Sequence, residues 1–160
     1  MWWIIGVVGL VVVVATYVTW IAARVDRLHA RAAAAYAALD AHLVRRSAAA
    51  VELADNLGRA GLRQAARAAL EADPDDRELA ENDLTRELRQ LPPDGVAPMA
   101  AMVSTSRRVA LTRQVHNDSV RDALSVRRRP LVRLLRLARR HPEPRYFDVD
   151  DPMLDPGVPA

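Results

Sequence analysis

The sequence has no cysteine and no lysine, a single phenylalanine, and no charged side chain before Arg24. Without cysteine there is no thiolate to complete a zinc site. The absence agrees with a reducing compartment and equally with any cysteine-free exported domain. All 23 basic residues are arginine, which, beside abundant alanine, reads as the bias of a GC-rich genome rather than a need for guanidinium. Aromatic residues make up 4%, and beyond Trp20 only Tyr36, Tyr146 and Phe147 remain. A β-sandwich or a doubly wound sheet carries more β-branched and aromatic residues in its strands. The expectation is an all-α chain. Catalytic signatures are equally scarce. His29, His42, His116 and His141 are far apart in the chain and form neither HxxxH nor HExxH. No serine occupies a nucleophile elbow, and no glycine-rich loop could cradle phosphate. Asp73, Asp75 and Asp76 cluster without the register of an EF-hand. A non-enzymatic protein without metal or cofactor is expected.

What is present is an apolar run from Trp2 to Ala23. As a helix it would be about 33 Å long, enough to cross a hydrocarbon core of about 30 Å. Trp2 and Trp3 at one end and Tyr17 and Trp20 near the other match an interfacial aromatic belt, with Arg24 and Arg27 following at the water side. A secretory signal would have a basic leading region, a shorter apolar centre and a clean small-x-small site. A core helix would have a polar face, and this run offers only Gly6, Gly9, Thr16 and Thr19. Residues 2–23 are therefore expected to be a transmembrane anchor in contact with the lipid bilayer. Arg24, Arg27 and Arg31 lie after the span and no charged side chain precedes it, so the positive-inside bias places the N-terminus outside and the remainder in the cytoplasm of a bacterial cell.

Residues 24–140 suffice for one domain of ordinary size. Leu28, Ala32, Ala35, Leu39, Leu43, Ala50, Leu53 and Leu57 recur at helical spacing and make one apolar stripe along a helix continuing from the anchor. Gly58 and Gly61 weaken or break it. A second helix, Leu62 to Ala72, stops at Asp73-Pro74. Asp75 with Glu78 has the form of a capping box opening a third helix to Leu91, with Leu84, Leu88 and Leu91 on one side. Pro92, Pro93, Gly95 and Pro98 mark a loop. A fourth helix runs from Met99 to Arg128 and a short basic helix from Leu131 to Arg139. The tail, 141–160, is rich in proline and aspartate and should either lie on the bundle or fray. The architecture expected is an N-terminal transmembrane helix continuing into an antiparallel bundle of long helices.

Charge is segregated behind a formal net charge of +3. Residues 71–94 hold nine acids and three arginines; residues 101–140 hold eleven arginines and two aspartates. These faces could simply meet across a bundle, although exposed ion pairs contribute only about 0–1 kcal/mol each. On a helix starting near Pro130, Leu131, Leu134, Leu135 and Ala138 would line one side, and Arg129, Arg133, Arg136 and Arg140 another. Such a basic amphipathic helix can rest on an anionic leaflet, each near-surface cation contributing about 1 kcal/mol. Nucleic acid is disfavoured, because no aromatic interleaves the basic run for base stacking and no recognition motif accompanies it. His116-Asn117-Asp118 is the one polar constellation, and the helical offsets of Val109 and Val120 turn it towards the interior.

In sequence order there are an N-terminal span, Leu43-Val-Arg45-Arg46 in a long helix, an Arg-rich helix with His116-Asn117-Asp118, Pro130, and Tyr146-Phe147-Asp148. This succession resembles the LemA family of single-span bacterial membrane proteins over almost the whole chain. Relative to that family the chain is divergent and shortened. Val51-Glu52 stands where an apolar Pro-Asn pair is usual, His116 replaces a tyrosine, Leu124 an asparagine and Arg129 an aromatic. The resemblance implies an antiparallel bundle on a single anchor, with Arg45, Arg46, Asn117 and Asp118 as structural signature positions, and supplies no mechanism. The function expected is that of a membrane-anchored interaction scaffold that holds an unidentified membrane or cytoplasmic protein, or self-associates. The alternative is a module that binds anionic lipid through residues 127–140.

Overall fold

The computed structural model describes residues 1–91 and 97–150, the side chains of Ala97 and Pro98 excepted. Five α-helices account for most of these residues and no strand occurs among them. Helix α1 runs unbroken over Trp2–Leu57, α2 over Ala60–Glu71, α3 over Arg77–Arg89, α4 over Ala97–Arg127 and α5 over Pro130–Leu134, with a 3-10 turn at Leu137–Arg140. The chain divides into two compact units, Met1–Ala34 with Asp118–Arg145, and Ala35–Asn117 with Tyr146 onward. Helices α1 and α4 each contribute one end to both.

The second unit is an up-down-up-down bundle whose directions follow from its contacts. Along α1, Arg46 bonds Ser106 of α4, while further back Tyr36 packs on His116, so numbers fall on one helix as they rise on the other. Asp40 and Ser47 of α1 meet Arg77 and Glu81 of α3 in the same order, making these two parallel. The expected stripe is what α1 buries: Leu39, Leu43, Ala50 and Leu53 have almost no exposure. Its last member, Leu57, stays on the surface. The helix ends there because Gly58 takes φ +63°, a left-handed conformation that costs glycine little. The Gly58 N–H donates to Asp55 and the Arg59 N–H to Ala54, the paired bonds of a Schellman cap.

Three sequence expectations need adjustment. Helix α3 starts at Arg77, so Asp76 rather than Asp75 directly precedes it, and the Asp76 side chain makes no capping bond. Pro98 belongs to the first turn of α4, where a missing N–H costs nothing; Pro92, Pro93 and Gly95 lie outside the described residues. The basic helix expected over Leu131–Arg139 is broken at Arg136, which adopts φ 52°. The reason lies in the packing of the first unit, where Ile21, Val25, Val126 and Val132 form a small core with Leu137 and Ala138 against it. Val132 and Leu137 are five residues apart, about 140° around a straight helix. Both can face the core only if the helix stops between them, and the left-handed arginine supplies that stop.

The tail from Pro142 to Asp150 has no regular secondary structure. It alternates with the period of a strand: Phe147 and Val149 are buried beside Leu39, Leu43 and Val109, while Asp148 and Asp150 are exposed. Side chains replace a neighbouring strand. The backbone N–H groups of Phe147, Asp148 and Asp150 donate to Asn117, Glu78 and Asn82, and Arg113 donates to the Val149 carbonyl. Residues 146–150 thus form a strap bonded to both α3 and α4.

Candidate functional site

Two groups of polar side chains stand out, one in each unit. In the second unit the apolar stripe of α1 has a gap of one turn between Leu43 and Ala50, and Arg46 and Ser47 fill it. Helix α3 has the matching substitution, with Glu81 and Thr85 in register with Leu84 and Leu88, and α4 offers Ser106 between Met102 and Val109. All five polar side chains are fully buried. Arg46 donates Nη1–H to Glu81 Oε2 at 2.7 Å, Nη2–H to Thr85 Oγ1 at 2.8 Å and Nε–H to Ser106 Oγ at 3.3 Å. Ser47 donates to the other Glu81 oxygen at 3.0 Å. Burial raises the Glu81 carboxyl above its usual range and lowers the Arg46 guanidinium below its own, and the attraction between them opposes both shifts. Arg46 therefore lies in the stripe rather than beside it, whereas Arg45 points to solvent. Each charge has its bonds satisfied by neighbouring helices, so the cluster joins α1, α3 and α4 and leaves no polar group directed at a substrate.

Asn117 is half-buried and pairs with both backbone groups of a single residue. Its Nδ2–H donates to the Phe147 carbonyl at 3.1 Å, and its Oδ1 accepts from the Phe147 N–H at 2.9 Å. Asp118 is exposed and contacts Arg121 at 3.3 Å. His116 is buried with its ring 5.6 Å from that of Tyr36.

In the first unit, the structure brings His29 and His141 together despite their distance in sequence: the rings stack at 4.6 Å. His29 Nδ1 lies 2.9 Å from the Val25 carbonyl, and Nε2 lies 3.2 Å from Arg127 Nη1. A carbonyl can only accept and a guanidinium only donate, so His29 is the neutral Nδ1–H tautomer. Arg127 Nη1 also reaches the carbonyls of Ala138 and His141, at 3.3 and 3.1 Å. His141 Nε2 contacts Asp26 at 2.8 Å. Burial, together with the nearby His141 and Arg127, lowers the His29 pKa below its ordinary 6.5, against the raising influence of the Val25 bond and Asp26. This arrangement pins the 3-10 turn to α1 and α4. Among the described residues no group of three His, Asp or Glu side chains gathers as a metal site would.

The same unit holds the sequence's interfacial residues. Trp2, Trp3, Tyr17 and Trp20 are exposed, with Tyr17 and Trp20 stacked at 6.3 Å. Arg24 and Arg27 are exposed one and two turns further on. Beside them a recess of about 160 Å³ is lined by Tyr17, Trp20, Ile21 and Arg24 of α1 and by Val126 and Arg129 to Val132. Arg133, Arg136 and Arg140 are exposed outside it. Next to these cations, Leu131, Leu134 and Leu135 are also exposed, at 42%, 77% and 42%.

Comparison with protein-family models, with curated protein sequences and with solved structures yields no match for this chain.

Proposed function

We propose that the chain is a single-pass membrane protein of LemA-like type, with its N-terminus outside a bacterial cell membrane and a non-enzymatic helical bundle on the cytoplasmic side that serves as an interaction scaffold. One observation carries the reading. The apolar head of α1, with a mean hydropathy of 2.5 and 6% of its window buried, continues without interruption into the helix that builds the bundle. Anchor and bundle helix are a single element. The interior of the bundle supports the non-enzymatic part, because its buried charges are committed to each other. The succession of Arg45-Arg46, Asn117-Asp118 and Tyr146-Phe147-Asp148 supports the LemA-like assignment.

The chain's lack of cysteine makes the test simple. Single cysteines at Ser125 and Ala48 are placed in the full chain and labelled in intact and in permeabilised cells with a membrane-impermeant maleimide. Labelling only after permeabilisation is expected, with the protein recovered in the membrane fraction. Labelling of intact cells would reverse the orientation, and recovery in the soluble fraction would remove the anchor.

A second reading is favoured by the exposed leucines among the arginines of residues 129–140: this segment lies on the anionic leaflet. Binding to anionic vesicles that fades with salt while helicity persists would support it.

A further inference from the structure

We propose that the recess bounded by Tyr17, Trp20, Ile21, Arg24, Arg129 and Leu131 is a binding site for one anionic phospholipid. The inference rests on reading α1 as a membrane span and goes beyond it by assigning a ligand to a defined place. The recess has two chemically distinct parts. Tyr17, Trp20 and Ile21 occupy the last turn and a half of the apolar run, at the level an aromatic belt would take. Arg24 follows one turn later, where the bilayer gives way to water. Arg129 and Leu131 approach from the other wall, one with a cation and one with an apolar side chain.

A phospholipid has the same division. Its acyl chain can lie along Tyr17, Trp20 and Leu131 while its phosphate lies between the two guanidinium groups, each of which can donate in bidentate fashion. Among the described residues, Arg24 and Arg129 form no ion pair with a carboxylate. Arg46, Arg77 and Arg127, by contrast, are engaged: Arg46 with Glu81, Arg77 with Asp40 and the Ala69 carbonyl, Arg127 with three acceptors. The two arginines of the recess thus supply positive charge that an anionic lipid complements. The core beneath keeps the walls apart, since Val126 and Val132 pack on Ile21 and Val25. Pro130 fixes the start of α5 and helps to set where Arg129 and Leu131 stand.

Trp20 reports directly on the site once Trp2→Phe and Trp3→Phe make it the only tryptophan. The full chain is reconstituted into vesicles containing equal mole fractions of phosphatidylglycerol and phosphatidylcholine, brominated on one or the other in turn. Trp20 is expected to be quenched in preference by brominated phosphatidylglycerol, with a relative association roughly thirtyfold in its favour, as two near-surface cations would give. Arg24→Gln with Arg129→Gln should abolish the preference and leave helicity unchanged. Arg133→Gln with Arg140→Gln removes the same charge from the same segment outside the recess and should preserve it. Equal quenching by both lipids in the parent overturns the site while leaving the span intact. So does equal loss of preference in both double variants, which would mean diffuse attraction to the leaflet. Absence of quenching by either lipid removes the span, and the site with it.

Discussion

The two units treat polar and apolar side chains in opposite ways. In the second unit an arginine and a glutamate are sealed among leucines, with Ser47, Thr85 and Ser106 closing the network around them. In the first, Leu131, Leu134 and Leu135 are left outside, while the polar groups His29 and Arg127 hold the 3-10 turn in place. A bundle that buries charge trades stability for definition: the pair fits only one register of three helices, and isosteric apolar residues would often be as stable or more so. A surface that displays leucine beside arginine suits a solvent that is apolar on one side and anionic on the other. The difference teaches that the burial of a residue has to be read against the phase it faces.

The comparison is most easily broken at Glu81. Glu81→Ala strands a buried guanidinium and should destabilise the second unit by about 3–5 kcal/mol, measured by guanidinium unfolding of the full chain in detergent. Arg46→Met together with Glu81→Leu should recover most of that loss. If the double variant is as unstable as the single one, the network does more than satisfy its own charges. Asn117→Ala is expected to cost about 1–3 kcal/mol, because it frees both the N–H and the carbonyl of Phe147. Hydrogen exchange at Phe147 should then rise well above that at Val109, and unchanged protection would remove the pairing.

Acid should act on the first unit through His29. The His29 pKa is depressed in the fold, so the unfolded chain takes up the proton first. The stabilisation from its neutral form is complete above about pH 6.5. It is lost as pH falls through the lowered folded value, when Nε2 can no longer accept from Arg127 and a second cation faces that guanidinium. Amide exchange over residues 130–141 should accelerate below that point, and the acceleration should vanish in His29→Gln. The smallest effect is expected at Arg45, whose exposed side chain should be replaceable by alanine within about 0.5 kcal/mol. A larger cost in thermal unfolding would mean that the two adjacent arginines act together.

Local pattern revealed much of this fold. The stripe from Leu28 to Leu53, the glycine stop after Leu57 and the break before Pro130 depend on neighbours within a turn or two, and each was legible. The buried network was legible in principle, because Arg46 and Glu81 occupy core register in their own helices, yet the match between them exists only once α1 and α3 lie side by side. Glu81 shares the face of Leu84 and Leu88, and a lone carboxylate there carries no local sign of the arginine it meets. The stacking of His29 on His141 spans more than a hundred residues and left no local trace. The kink at Arg136 followed from a similar long-range demand, the need of Val132 and Leu137 for the same core. In the recess, Trp20, Arg24 and Arg129 were individually expected at an interface, and their convergence on one cavity was a matter of tertiary structure.

The strap formed by residues 146–150 imposes an order of events on synthesis. Leu39 and Leu43 leave the ribosome early, directly behind the apolar head of α1. Their cover, Phe147 and Val149, is made more than a hundred residues later. Through most of its own production the chain therefore presents an open apolar seam along α1, and closure waits for the last described residues. A nascent protein stalled before Tyr146 would have its helices and its buried ion pair, and would still be exposed to association through that seam.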